Sequence, residues 1–491
     1  MHAHRPFALI AALLAAAPAT ADTQARIAQR LLGALGHDAG GVDGDWGPRS
    51  AAALAAFLSA RGLPDDGLPD AADIAHLRAA ADAAGLPADP VAGVTIENAP
   101  APFLLPPTAP AATATRYWFG RNWSAQDWNG DGLQDVLYTG TMKPVNANFT
   151  GETDACGGDP CFGFMPEPML FLQSPDGTFT EDRTRFIDNR TPPGQALARQ
   201  NLVADYNADG RPDLYIADTG IGTTDGFRDS YFLSQPDGTW TESSATHTDD
   251  PALALFDHGA ATGDIDADGD MDIVLTELGP RLTCRMNDGT GRLTTTRCGT
   301  VNAFGIELGD MDGDGDLDLV HAGHEHEGMR SGIALNDGTD RFTGQIPLPE
   351  IPRWGTVPEV SVWDLDADAD LDIVLSRAGH LYAGTAIQIL ENRGDAGFAA
   401  ALIPLLEPPP GFDPHHEANN WNAFVGALRF ADADSDGLTD IILVADIGGM
   451  HAPLVRGAIL RNTGGMVFTH LPLGDPANPL RDTGPARFVS P

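Results

Sequence analysis

Six nine-residue runs of the form D-x-[DN]-x-D-[GA]-x-x-D recur between Asp127 and Asp440. Their side-chain oxygens belong to Asp127, Asn129, Asp131 and Asp135; Asp205, Asn207, Asp209 and Asp213; Asp264, Asp266, Asp268 and Asp272; Asp310, Asp312, Asp314 and Asp318; Asp364, Asp366, Asp368 and Asp372; and Asp432, Asp434, Asp436 and Asp440. Carboxylates this close repel one another unless a hard cation neutralises them, and Ca²⁺ takes a flexible cage of roughly six to eight oxygens. Positions 1, 3 and 5 turn side chains inward around a tight loop, position 7 offers a backbone carbonyl, and position 9 closes the cage. The repeat therefore predicts up to six calcium sites. Position 6 favours glycine because the turn calls for positive φ; Gly132, Gly210, Gly269, Gly315 and Gly437 comply, whereas Ala369 predicts a weaker fifth site.

The residues on the C-terminal side of each loop set the fold. An EF-hand needs a glutamate at position 12 and a helix, but Tyr138, Ile216, Leu275, His321, Leu375 and Leu443 stand there. Short apolar stretches such as Ile273-Val274-Leu275 and Ile441-Ile442-Leu443 instead predict buried strands. Turn signals come further on, among them Pro175-Asp176-Gly177, Asn287-Asp288-Gly289, Asn336-Asp337-Gly338, Asn392-Arg393-Gly394 and Asn462-Thr463-Gly464. Each unit reads as strand, acidic loop, strand, connection, hairpin. Successive loops begin 78, 59, 46, 54 and 68 residues apart; the shortest interval holds a whole unit, so the longest cannot hold two. The fold class expected is mainly β, a propeller of six full repeat blades. Because Ala486-Arg487-Phe488-Val489 is similar to the strand before the sixth loop, a composite seventh blade completed from residues 91–106 is also open.

The loops and hairpins resemble the FG-GAP/VCBS repeats of integrin-α-type propellers. That resemblance implies Ca²⁺ at the acidic positions named above, and a binding scaffold more often than a catalyst. A second resemblance lies upstream. Helix-like spacing (Ile27, Leu31, Leu32, Leu35; Leu54, Phe57, Leu58) flanks a loop in which Gly36, Gly40, Asp43-Gly44, Trp46, Gly47 and Ser50 are similar to the bacterial peptidoglycan-binding domain, with Gln29 matching that family's first glutamine and Leu58 departing from its second. This implies a small helical domain that associates with peptidoglycan or serves as a spacer.

The domain plan expected is a signal peptide over 1–21, the helical domain over 22–85, a proline-rich linker over 86–115 and the propeller over 116–491. The leader rests on His2, His4 and Arg5 before the apolar run Phe7–Ala17 and on small residues before cleavage after about Ala21. This leader implies a periplasmic or secreted location, and no other segment is apolar for long enough to span a membrane. Four cysteines suit that compartment. Local pairing, Cys156 with Cys161 and Cys284 with Cys298, is preferred, although simple hairpin register sets Cys284 opposite Thr294 and asks for a bulge.

A formal charge of −40 argues against nucleic acid and anionic membranes as partners. Because the acidic loops join strands one and two, the remaining loops gather on the opposite face. That face is expected to carry Asp218, Asp225, Arg228, Asp257, His258, Glu277, Arg281, His321, His324, Glu325, His326, Glu327, Trp354, His380, His415, His416, Glu417, Trp421 and His451. The run from His321 to His326 reads as a polar loop in preference to a transition-metal site, since its spacing matches no metalloenzyme motif; the two tryptophans read as packing residues. The function expected is a non-enzymatic envelope scaffold whose propeller face binds a protein or polysaccharide. The alternative is a polysaccharide hydrolase or lyase using His258, His324 and Glu325 as acid/base groups. No nucleophile elbow, phosphate loop or dinucleotide fingerprint occurs.

Overall fold

The computed structural model describes most of residues 28–80, residues 116–144, most of 168–481 and a last strand at Phe488–Val489. The expected leader, the linker, Cys156, Cys161, Asp225, His415, His416, Glu417, Trp421 and His451 lie outside the described residues. The chain falls into two units, one small and helical, one large and built of strands.

In the small unit a helix over Pro48–Ser59 begins with proline, whose fixed φ suits the first helical position. Its Leu54, Phe57 and Leu58 bury one stripe against Ala28, Leu31, Leu32 and Leu77. Gln29 donates to the Ser50 hydroxyl at 3.1 Å, and that hydroxyl donates to the Ala39 carbonyl at 2.8 Å. Both side chains are buried. The glutamine and the hydroxyl that carry the family resemblance thus tie its helices and loop together.

The large unit is a six-bladed propeller of antiparallel four-stranded blades. Blade 1 comprises Arg116–Gln126, Asp135–Pro144, Met169–Gln173 and Phe179–Asp182; blade 2 comprises Ala198–Ala204, Asp213–Asp218, Ser230–Ser234 and Trp240–Glu242. Blade 3 is Ala260–Gly263, Asp272–Thr276, Leu282–Met286 and Thr294–Gly299, and blade 4 is Gly305–Gly309, Asp318–Ala322, Gly332–Ala334 and Ile346–Pro347. Thr356–Trp363, Asp372–Ala378, Thr385–Asn392 and Phe398–Leu406 make blade 5; Ala427–Ala431, Asp440–Val444, Ile459–Asn462 and Phe468–Leu471 make blade 6.

The core lies between blades. Adjacent residues of a strand face opposite ways, so each second strand feeds two interfaces. Ile273 packs with Tyr215 and Tyr231 of blade 2, while its neighbour Val274 packs with Leu308 and Leu319 of blade 4. Ile373 and Val374 divide in the same way between the clusters of blades 4 and 6. This explains why the sequence there is continuously apolar rather than alternating.

Two devices link neighbouring blades. After an outer strand the chain makes a parallel bridge to the next outer strand: Phe186–Ile187 beside Trp240–Thr241, Thr248 beside Leu293, and Gly299 beside Phe342. Phe488–Val489 pairs in parallel with Phe179–Thr180 of blade 1, so the tail occupies the position that such a connector takes after blade 6. Six blades are found as expected, and the open alternative of a composite seventh is corrected by this pairing: the tail is an outer staple that closes a ring of six, not the inner strand its sequence resembles. The second device is an asparagine at the end of the third strand. Its Nδ2 reaches the position-2 carbonyl of the preceding blade's acidic loop, from Asn287 to Tyr206 at 2.8 Å, Asn336 to Ile265 at 2.7 Å and Asn392 to Met311 at 3.2 Å.

The disulfide between Cys284 and Cys298 is present, with Cα atoms 5.7 Å apart. The hairpin turns later than the simple register supposes, placing Met286 opposite Thr294 and Cys284 opposite Thr296, and a shift between Leu282 and Thr283 leaves Cys298 in a bulge.

Candidate functional site

Each acidic loop joins the first strand of its blade to the second, and its ninth residue begins that second strand. Asp135, Asp213, Asp272, Asp318, Asp372 and Asp440 are all buried. One carboxylate oxygen accepts the N–H of loop position 2, and the other accepts the N–H at the end of the third strand. In blade 3 these bonds come from Ile265 at 3.2 Å and Asn287 at 2.7 Å; in blade 6, from Ala433 at 3.0 Å and Asn462 at 2.8 Å. The same clamp recurs in the other four blades. Burial raises Asp135, Asp213 and Asp440 to about 6, Asp272 to about 7 and Asp372 to about 8, against the opposing pull of the two N–H donors.

The first aspartate gathers its own loop: Asp264 accepts from the N–H groups of Asp268 and Gly269, both at 3.0 Å. Carboxylate oxygens of Asp264, Asp266 and Asp272 lie within 4.8 Å of one another, as do those of Asp310, Asp312 and Asp318, of Asp364, Asp366 and Asp368, and of Asp432, Asp434 and Asp440. The first two loops, with Asn129 and Asn207 at position 3, show no such carboxylate trio among the described residues. In the second, Asp209 is paired at 2.6 Å with Arg211 of its own loop. Positive φ at position 6 holds for the five glycines. Position 4 is left-handed as well, in Gly130, Gly313 and the alanines Ala208, Ala267 and Ala367 at +55°, +58° and +61°. Sequence reasoning misses this second requirement, which glycine at only two of the six positions signals weakly.

On the opposite face several expected residues meet and others do not. His258 meets Phe304 edge-on, with ring centroids 4.3 Å apart; Phe304 meets His324 at 4.4 Å; His324 meets His326 and Tyr382, each at 5.5 Å; and His326 meets His380 at 4.6 Å. This aromatic array draws on connections around blades 3, 4 and 5. His321 is separate from it, buried in its strand with Nε2 3.2 Å from Gln345 Oε1. Trp354 is buried, as a packing residue should be. Asp257 and Asp218 are fully buried rather than displayed on the face.

Glu325 is committed to structure. Both its oxygens accept from the Arg377 guanidinium of blade 5, at 2.9 and 3.0 Å, with side chains 3% and 0% exposed. Arg377 also donates to Gln388 at 2.6 Å and to the Trp354 carbonyl at 2.9 Å. Both oxygens of this carboxylate are engaged in a buried ion pair, which argues for a structural role over an acid/base one. The pair instead fixes the 3₁₀ turn Glu325–Glu327. His324 is held below the ordinary imidazole range by burial, with Glu327 opposing.

Residues 127–216 and 205–275, across the first three acidic loops, match the family described as FG-GAP-like repeat. The propeller carries FG-GAP-like repeats. Residues 22–77 match the family described as putative peptidoglycan binding domain. No curated protein matches the sequence. Among solved structures, a variant of Aleuria aurantia lectin in complex with alpha-methyl-L-fucoside is 9% identical, aligned over 74% of this chain and 98% of that one with a TM-score of 0.35. No helix among the described residues is long and apolar enough to cross a membrane.

Proposed function

We propose that this FG-GAP-repeat chain is an exported binding scaffold: Ca²⁺ stiffens the corners of its propeller, the face opposite the acidic loops receives a protein or polysaccharide, and the amino-terminal domain associates with peptidoglycan. The observation that carries the reading is the convergence of three carboxylates in each of four loops, all of them hard oxygen donors of the kind Ca²⁺ selects. The residues fit the ion in charge and donor type. The ninth aspartate, whose oxygens already brace the third strand, would join a bound ion to the blade's backbone. At a free concentration about tenfold above the dissociation constant, each occupied site adds roughly 1.4 kcal/mol to stability. Several such sites rival the net stability of a domain.

The scaffold role is supported by the pairing of a propeller with a peptidoglycan-binding-type domain and by the structural commitment of Glu325. Chelation tests the calcium part: the melting temperature and protease resistance should fall together and return with added Ca²⁺, and an unchanged melt would refute it. Co-sedimentation with purified peptidoglycan tests the other part. Full-length chain should pellet, and chain lacking residues 22–85 should stay in the supernatant; equal pelleting would exclude the amino-terminal domain as the anchor.

A further inference from the structure

The geometry points to a transition-metal site on the propeller face, formed by His324, His326 and Glu327, that takes a borderline divalent ion of the Zn²⁺ class and is separate from the acidic loops. One ligand atom from each of the three residues falls within a sphere of mutual distance 4.8 Å. His324 Nδ1 is 3.3 Å from Glu327 Oε2, and His326 Nε2 is 3.7 Å from Glu327 Oε1. The imidazole planes stack at 16°.

The other nitrogen of each ring distinguishes this trio from a polar loop. His324 Nε2 lies 3.1 Å from the Tyr382 hydroxyl, and His326 Nδ1 lies 3.1 Å from the Gly355 carbonyl. A carbonyl only accepts, so His326 carries its proton on Nδ1 and presents the Nε2 lone pair to Glu327. This is the outer-shell arrangement that orients ligating histidines. His324 Nδ1 is buried and has no hydrogen-bond partner among the described residues, although a carboxylate oxygen is close by. Nδ1 faces the Glu327 carboxylate across 3.3 Å, a gap that a ring proton or a bound cation fills.

The supporting structure is rigid. Arg377 fixes the turn through Glu325, the residue between the two histidines, and the turn ends at Gly328 with φ +92°. Tyr382 is held under His324 by two consecutive left-handed residues, Leu381 at +53° and Tyr382 at +62°. Non-glycine residues adopt that conformation only when their surroundings over-determine it. Two imidazoles and one carboxylate exclude Ca²⁺ and Mg²⁺ as the preferred ions and suit Zn²⁺, with coordination positions left for water or a ligand group. Sequence spacing conceals the site because His321, which starts the apparent histidine motif, is not part of it, and Glu327, which lies outside the motif, is.

The test is calorimetric titration of Zn²⁺ into the full-length chain, purified without a polyhistidine tag and kept in excess Ca²⁺. One saturable site per chain is expected, and Co²⁺ in its place should give the visible absorption of a low-coordinate complex. His326→Ala and Glu327→Gln should each weaken Zn²⁺ by about tenfold or more, and Tyr382→Phe, which removes only the outer partner of His324, by about tenfold. Absence of saturable binding overturns the proposal, as does binding that is unchanged in Glu327→Gln. That side chain is 55% exposed, so its variant should fold as the parent does, by circular dichroism, and decides the matter even if His326→Ala does not fold.

Discussion

The side-chain amide of Asn462 in blade 6 donates a 3.1 Å hydrogen bond to the carbonyl of Leu365, 97 positions earlier in the acidic loop of blade 5. The backbone N–H of the same asparagine donates to Asp440 of its own blade at 2.8 Å. One residue therefore ties its own acidic loop to its neighbour's. Replacing Asn462 by Ala keeps the N–H but strands a buried carbonyl, at a cost of about 1–3 kcal/mol. Urea denaturation checks this: the midpoint should fall, and a midpoint within error of the parent's would show that the clasp contributes nothing.

The bidentate pair of Arg377 and Glu325 gives a second prediction. Glu325→Gln leaves a guanidinium buried without its counter-charge, which destabilises by about 3–5 kcal/mol, whereas Arg377→Met combined with Glu325→Gln removes both charges and should recover much of that loss. A double-mutant cycle of denaturation midpoints measures the coupling; additive losses would mean that the pair does not act as a unit.

Much of this architecture is legible because it is local. A nine-residue loop running at once into Ile-Val-Leu declares both an acidic turn and a two-faced strand, and the hairpin turns add the rest of the blade. The asparagines of those turns announce a backbone preference, but their inter-blade bonds connect residues far apart in sequence, where no local pattern operates. Phe488–Val489 misleads for the converse reason: a two-residue apolar strand has the same composition at the inner and outer edges of a blade, and only its parallel partner, Phe179–Thr180, tells them apart. The face is legible as a set of connections but not as a site. Arg377 stands inside an apolar second strand, and nothing nearby in the sequence marks its carboxylate partner.

Ala267, at φ +58°, occupies loop position 4, where Gly130 and Gly313 adopt the same left-handed conformation. An L-residue there bears a steric cost of roughly 1–2 kcal/mol, partly offset because alanine loses less entropy than glycine on folding. Ala267→Gly should therefore raise stability by about 0.5–1 kcal/mol, read as a higher denaturation midpoint. A lower midpoint would place the entropy term above the strain.

Asp257 lies fully buried beside Asp229, with Arg285, Tyr215 and Glu277 as the neighbouring ionisable groups. Burial first, then the Asp229 charge, pushes its carboxyl well above the usual range, against the pull of Arg285. The folded state thus holds a proton that the unfolded state releases near pH 4, so this group's contribution is fully present in acid and is lost as pH rises through its folded-state range. Asp257→Asn cannot ionise. Relative to the parent, its melting temperature should improve as pH rises above the unfolded-state range of about 4; a difference that stays constant with pH would show that Asp257 is ionised in the folded state as it is in the unfolded chain.

Arg211 sets the second acidic loop apart. Its guanidinium pairs with Asp209 Oδ2 at 2.6 Å and also donates to the Gln235 carbonyl at 2.7 Å, while Ser234 donates to the same Asp209 oxygen at 2.9 Å. A cation entering this loop would meet a position-5 carboxylate already engaged and a fixed positive charge close by. Leucine stands at the equivalent position in the first and sixth loops, as Leu133 and Leu438, so the loop tolerates it, and position 7 needs to supply only its backbone carbonyl. Arg211→Leu should release Asp209 and remove a repulsion worth roughly 1 kcal/mol for a unit charge about 4 Å away through water, tightening calcium at this loop several-fold. Calorimetric Ca²⁺ titration of parent and variant would show one site moving to higher affinity while the others stay in place. If the isotherms superimpose, either the loop binds no cation or Arg211 does not oppose it, and Asp205→Asn in the same titration separates the two: it weakens one site only if the loop is occupied.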